Sequence, residues 1–358
     1  IGPGYCYGPA FGHWDLIHQV LDTLPAEPAH ARDQLLNLLS TQQDDGYLPA
    51  QVWIREGRAQ PAREQTHPPV WPLAVQWYVD RTGQHDLLHQ AYPALIRQLR
   101  WFEDNRQVGE ASGIGFYYRD IVNRRWESGI DEGVRFDDAP EQPLACVDAT
   151  SHLYLAYMYA ARWAWTRGED GAPFEAKAGV LRDFIQRELF SQETGFFHDV
   201  WSVRDSRRRP LAHEGMWPVV VGAATPEQAQ RCIDENLLNP ERFFTTHPIS
   251  TVGRHDPRFE LRMWRGPTWN SMTLWAALGC QRYGRADAAR RLTERAVDAC
   301  AKQFAQSGTV WEFYHPDGDD PLTLQRKPQT KQNTPCPDYL GHNPIIALAR
   351  TWVQTGQV

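Results

Sequence analysis

The sequence predicts an all-α fold: a toroid of paired helices with short β-hairpins in its loops. Three observations carry that expectation. Apolar residues recur at helical spacing over most of the chain. A loop of one kind, a Gly turn followed by aromatics in short alternation, returns after successive helical stretches. Runs that read as strands are few and short. Helix pairs joined by such loops gather the loops at one end, where they form a funnel.

The helices follow in order. Residues 31–43 carry leucines at 35, 36, 38 and 39, and 71–83 run to a stop at Gly83. Residues 85–106 form a third stretch in which Pro93 is expected to break or kink the helix. Residues 147–167 are apolar nearly all round, the mark of a buried helix. Stretches 173–190, 226–238, 268–283, 285–305 and 343–355 complete the set, with Gly168, Gly284 and Gly356 placed as C-caps. The recurring loops are 45–53, 112–120, 194–201 and 307–314. No Pro/Ser-rich linker divides the chain, and one domain, 1–358, is expected.

Composition removes several function classes. The net charge is -7 without long runs of one sign, whereas binding phosphate backbones needs a basic face. No stretch of about 18 apolar residues is present to span a membrane, and no secretory signal is visible at the start, where Ile stands instead of Met. The six cysteines form no C-x-x-C pair and read as buried thiols of a reducing compartment, so a cytoplasmic location is expected. The 15 Trp exceed what a core needs. Many sit beside Gly, Pro or charge, where flat rings suit a sugar.

Polar and aromatic residues crowd into four stretches: FGHWD at 11–15, WESGID at 126–131, MWRGPTWN at 263–270 and WEFYHPDGDDP at 311–321. Glycosidic hydrolysis needs two carboxyl groups, one protonated to assist the leaving oxygen and one ionised to activate water. The acids of WESGID and WEFYHP each lie close to a Trp, and a toroid can bring loops about 180 residues apart to face one another.

WESGID followed by RFD resembles the acid-bearing loop of glycoside hydrolase family 63 and of the related mannosylglycerate hydrolases and trehalases. MWRGPTWN is similar to that family's aromatic-R-G-P-x-W segment, and WEFYHPDG to its late E-x-Y-x-P-x-x-G loop. FGHWD resembles the early W-D segment, and QTHPPVW at 65–71 the Q-x-P-P stretch. The resemblance implies an (α/α)6 barrel and an inverting mechanism, with the two carboxyls roughly 6.5–9.5 Å apart. It makes Asp131 the general acid and Glu312 the general base. It also implies that Arg265 and Trp269 hold the sugar, and that Trp14, Asp15, Gln65, Trp126 and Glu127 complete the pocket. The tail at 336–352 replaces the family's F-S-W-x-A ending, so Tyr339 and His342 are read as an unusual subsite. Trp217, near His213 and Glu214, is expected along the funnel. The substrate implied is a small α-linked glycoside, an α-glucoside before an α-mannoside or glycosylglycerate, and no cofactor is required.

Rival readings are a toroidal sugar epimerase or polysaccharide lyase using His213, His342 or Tyr339 as base, and a carbohydrate-binding protein without catalysis. Simpler structural readings stand beside the motif. Glu127 and Asp131 also suit a helix start, Arg265 an ion pair, and Asp148 an N-cap or a buried partner for backbone donors. The acidic turn Asp317-Gly318-Asp319-Asp320 lacks the spacing and final Glu of a calcium loop. Paired zinc spacing, a dinucleotide fingerprint and a nucleophile elbow are absent from the sequence.

Overall fold

The computed structural model describes residues 6, 8–109, 114–123, 126–328 and 331–356, so part of the expected loop 112–120 lies outside the described residues. Among the described residues, six helices close a ring. They are α1 (His13–Thr23), α3 (Trp71–Thr82), α6 (Val147–Thr166), α8 (Trp217–Val221), α10 (Asn270–Arg282) and α12 (Ile345–Thr355). Each touches the next, and α12 returns to α1. Around them stand α2 (Pro28–Leu39), α4 (Leu88–Arg106), α7 (Ala172–Glu188), α9 (Pro226–Arg231) with a π-turned continuation over Cys232–Leu237, and α11 (Ala286–Ser307). The fold is the (α/α)6 toroid that the sequence predicts.

Burial follows the ring. α6 is buried on nearly every side, as its composition demands, while α11 buries one stripe through Leu292, Ala296 and Ala299. One continuous cluster of buried side chains runs from Trp14 to Leu348. Inside it, tryptophan N–H groups find acceptors across neighbouring helices: Trp71 on Gln98 at 2.7 Å and Trp163 on Gln76 at 2.8 Å.

Helix ends follow local chemistry. Gly83 takes the left-handed conformation just past α3, at φ 70°. Thr225 and Gln228 form a reciprocal capping box at α9. Pro93 neither breaks nor ends α4, which continues to Arg106. Gly356 ends α12 at φ −87°, without the left-handed turn expected of a C-cap glycine. The stretch around FGHWD, read only as a motif, opens a full helix, α1. A short α5 (Asp120–Asn123) precedes the acid loop.

The strands are short. β1 (Ala10–Gly12), β2 (Gln51–Arg55) and β3 (Arg58–Pro61) form an antiparallel sheet in the order β1-β2-β3, pairing Phe11 with Val52 and Val52 with Pro61. β4 (Phe190–Ser191) and β5 (Phe196–Phe197) make a small hairpin. No helix among the described residues is long and apolar enough to cross a membrane.

Candidate active site

A cavity of about 470 Å³ opens at one end of the ring. It is lined by Trp14 and Asp15 on the first turn of α1, and by Gln51 and His67 ahead of α3. Gly129 and Asp131 come from the segment ahead of α6, and Met263, Trp264 and Trp269 from that ahead of α10. Glu312, Arg326, Lys327, Tyr339 and His342 lie ahead of α12. Every lining residue therefore sits in a chain segment entering an inner helix, or on that helix's first turn. The closure of the ring brings them together.

The acid loop is held on both flanks by buried charge. Glu127 is fully buried and accepts from Arg106 Nε and Nη2 at 2.7 and 2.8 Å and from the Arg119 N–H at 2.7 Å. Ser128 donates its N–H and hydroxyl to Asp120 at 2.9 and 2.8 Å. Burial pushes the Asp120 carboxyl up to about 8, with the Ser128 hydrogen bonds acting against it. Gly129 sits at φ 75°, where a Cβ would stand 3.2 Å from Trp14 Cδ1. On the far flank Arg135 gathers Asp148 at 2.6 Å, Asp199 at 3.1 Å and Glu214 at 3.2 Å. Asp131 is the carboxylate of this loop that reaches the cavity, where its Oδ2 meets Lys327 Nζ at 2.5 Å.

Glu312 arrives on a different support. Its N–H donates to the Cys336 carbonyl, and the Cys336 N–H donates back to Glu312 Oε2 at 3.1 Å. Arg326 grips the same carboxylate with Nε at 2.7 Å and Nη2 at 2.6 Å, and both side chains are only 2% exposed. Burial works against charge on Arg326, but Glu312 outweighs it and the guanidinium pKa is raised.

Rings make the remaining wall. Trp264 and Trp269 stack with centroids 3.8 Å apart and planes 4° from parallel, and His342 meets both edge-on. Burial pushes the His342 pKa well down, aided by the nearby His67, and its Nδ1 lies 2.7 Å from the Ser271 hydroxyl. The Tyr339 hydroxyl donates to Asp15 at 2.8 Å. A Cβ on Gly12 or Gly341 would strike the Asp15 carboxylate at 2.2 or 2.3 Å. Asp15 thus sits in a slot that only glycine leaves open.

Of the twelve residues picked from the sequence, seven line this cavity: Asp131, Glu312, Trp14, Asp15, Trp269, Tyr339 and His342. Five stand elsewhere. Glu127 is buried in its pairing with Arg106. Arg265 binds Asp137 and Glu260 and lines a neighbouring cleft of about 990 Å³ with Trp126. Trp126 turns outward, 40% exposed. Trp217 stands behind Trp14, ring centres 6.0 Å apart, inside the core. Gln65 contributes its carbonyl to Ala50 and Tyr47. His213, proposed as an alternative base, is fully buried against Glu214 and Thr251 and does not reach the cavity. Asp148 bonds the Ala149 N–H but is chiefly Arg135's partner, and Cys146 occupies the cap position. Near the Asp317 turn, ligand atoms of His315, Asp317 and Asp319 lie within 4.8 Å of one another, but Asp317 is paired with Arg254.

Sequence reasoning passed over Gln51, His67, Met263, Trp264, Arg326 and Lys327. Trp264 and His67 lie inside motifs already marked. Arg326 and Lys327 belong to a plain Gln-Arg-Lys run that carries no motif signal.

Comparison with known proteins is consistent across sequence and structure. Residues 9–332 match the sequence family described as the mannosylglycerate hydrolase MGH1-like glycoside hydrolase domain. Mannosylglycerate hydrolase MGH1 of Selaginella moellendorffii is 22% identical, over 85% of this chain and 75% of the relative. The cytosolic neutral trehalase of Kluyveromyces lactis is 27% identical over 63% of this chain and 31% of that protein. The crystal structure of the family 63 mannosylglycerate hydrolase of Thermus thermophilus in complex with Tris superposes with a TM-score of 0.76 at 20% identity, covering 98% of this chain and 95% of that one.

Proposed function

The chain belongs to the MGH1-like glycoside hydrolase family, and we propose that it is an inverting hydrolase of small α-linked glycosides, with Asp131 as general acid and Glu312 as general base. The observation that carries this reading is that Asp131 and Glu312, from loops far apart in sequence, line one aromatic-walled cavity. A glucosyl or mannosyl ring as the sugar is in keeping with relatives named for mannosylglycerate and trehalose.

In the proposed step, Asp131 gives its proton to the glycosidic oxygen as the C1–O bond breaks. A water oxygen attacks C1 from the opposite face while Glu312 takes one of its protons. The sugar leaves with inverted anomeric configuration. Exchange with solvent returns the proton to Asp131 and removes the one on Glu312. The Arg326 clamp supports the second role by fixing the orientation of the Glu312 carboxylate.

Asp131→Asn and Glu312→Gln test the assignment. Each should lower kcat by about 10²–10⁴-fold on an α-glycoside that wild type cleaves, with melting temperature retained for Asp131→Asn. Proton NMR should show the β-anomer as first product. Near wild-type turnover by either variant, or an α-anomer as first product, would overturn the reading.

A further inference from the structure

All six cysteines are free thiols, and five of them are buried. Cys6, which precedes β1 in the chain, is partly exposed. Its sulfur accepts from Arg326 Nη1 at 3.6 Å, on the guanidinium whose Nε and Nη2 hold Glu312. Cys336 holds the same carboxylate from its backbone: its N–H reaches Glu312 Oε2 at 3.1 Å, and its carbonyl accepts from the Glu312 N–H. The Cys6 N–H in turn donates to the Cys336 thiol. Two thiols from distant parts of the sequence thus meet on the Arg326–Glu312 pair.

The two thiols differ in the way that disulfide chemistry uses. A reactive thiol needs access and a cationic neighbour, and Cys6 has both. Cys336 is fully buried, and burial pushes its thiol up to about 12, with Glu312 adding to the rise. It is shielded from a reagent in solution but lies beside any bond formed on Cys6. Disulfides need Cα atoms within about 7 Å of one another, and a backbone N–H of one cysteine on the thiol of the other is a contact of that order. Cys232 and Cys280 also lie near one another, but both are fully buried, so an oxidant reaches neither.

We propose that Cys6 and Cys336 form a modification site: a small disulfide oxidant links them, and the link slows hydrolysis by disturbing the Arg326 support of Glu312. In the first step the Cys6 thiol gives its proton to solvent and its sulfur attacks one sulfur of oxidised glutathione. A glutathione thiolate leaves. In the second step the Cys336 sulfur attacks the Cys6 sulfur of the mixed disulfide, and its proton goes to the second glutathione as that thiolate departs. Two protein thiols are oxidised to one disulfide, and one oxidised glutathione is reduced to two thiols. To reach Cys336, the Cys6 sulfur must turn from Arg326 Nη1, so the guanidinium loses a brace. The new bond also pulls on the residue whose backbone holds Glu312. The effect on turnover rests on Glu312 as general base; the bond itself does not.

The test equilibrates wild type with excess oxidised glutathione or with dithiothreitol, alkylates the remaining thiols, and maps an unreduced digest by mass spectrometry. The oxidised sample should yield a peptide joining Cys6 to Cys336, with Cys146, Cys232, Cys280 and Cys300 alkylated only after unfolding. On an α-glycoside that reduced wild type cleaves, kcat should fall by about 10- to 100-fold, the order that an ångström-scale displacement of a catalytic group costs. Dithiothreitol should restore it. Cys6→Ser should respond to neither reagent, whatever its own turnover, and Cys336→Ser should stop at one glutathione on Cys6. Absence of the Cys6–Cys336 peptide from oxidised wild type, a measurement that needs no variant, would overturn the proposal. So would a mapped link with unchanged turnover, or a Cys6→Ser that oxidant still slows. Failure here is distinguishable from failure of the base assignment: an active Glu312→Gln refutes the base and leaves a mapped link standing, whereas a missing link beside an inactive Glu312→Gln refutes only the thiol pair.

Discussion

Replacing Arg326 with Met probes the proposed base and its support together. Methionine keeps most of the aliphatic volume but removes the guanidinium, which supplies two of the three hydrogen bonds described above for the Glu312 carboxylate and leaves the Cys336 N–H as the third. Both side chains of the pair are 2% exposed, so little solvent is at hand to replace what is lost. Breaking a buried ion pair by removing one partner costs about 3–5 kcal/mol. A per-residue unfolding entropy of about 2.1 cal/mol/K over this chain length turns that into a fall of about 4–7 °C in melting temperature. Scanning calorimetry of wild type, Arg326→Met, Glu312→Gln and the double variant forms a thermodynamic cycle. The double variant should melt well above the additive expectation, because it leaves no uncompensated carboxylate in the protein interior. Turnover of Arg326→Met should fall as well, since the base loses its fixed orientation. A single variant melting within about 1 °C of wild type, or a cycle that closes additively within about 0.5 kcal/mol, would refute the claim that this pair is held together by charge.

Three further substitutions separate other parts of the argument. Asp120, raised by burial to about 8, binds a proton more readily folded than unfolded between its ordinary value near 4 and about 8, so its contribution makes stability fall as pH rises through that window; Asp120→Asn should flatten this slope in melts between pH 4 and 8, and an unchanged slope contradicts it. Gly129→Ala places a Cβ beside Trp14 at a positive φ, at a strain of about 1–3 kcal/mol, and should lower kcat more than its effect on melting explains, because the displaced loop carries Asp131. Arg265→Met should change kcat/KM by no more than about threefold, as expected of a change of about 0.5 kcal/mol outside the cavity; a loss of 100-fold would place Arg265 in substrate binding after all.

The toroid was legible because its signals are local and repeated. Apolar spacing and glycine stops mark each long helix, and α6 is apolar on every face. Two inner helices escaped for opposite reasons. α8 has only five residues, too few to show a period. α1 carries a good period, but its first turn is so rich in functional types that it read as a motif alone. β3 is exposed throughout and shows no alternation to detect. At the candidate site the marked loops meet at one cavity, but only some of their marked side chains line it. Asp131 and Glu127 are four residues apart in one motif, yet one enters the cavity and the other is buried against Arg106. Arg265 and Trp269 share a motif and part in the same way. The partner charges decide these orientations: Arg106 lies 21 residues from Glu127, and Asp137 lies 128 from Arg265. Nothing in the short motif announces either.

In the proposed mechanism the two cavity carboxylates face different demands. A general base must be an anion each time water arrives, so a permanent counter-ion helps it. Glu312 has one, fixed by a two-point grip in a largely buried place at the cavity wall. A general acid must change state, and a counter-ion of that kind would hold it in the wrong one. Asp131 instead meets a flexible lysine through one oxygen, at a partly exposed place beside a second cleft. An arginine clamp on Asp131, or a lysine alone on Glu312, would reverse these properties. Exchanging the cations by Arg326→Lys and Lys327→Arg together should therefore depress turnover more than the two single exchanges combined, with both net charge and cavity composition nearly unchanged. Additive losses across that cycle would show that the kind of cation beside each carboxylate is immaterial.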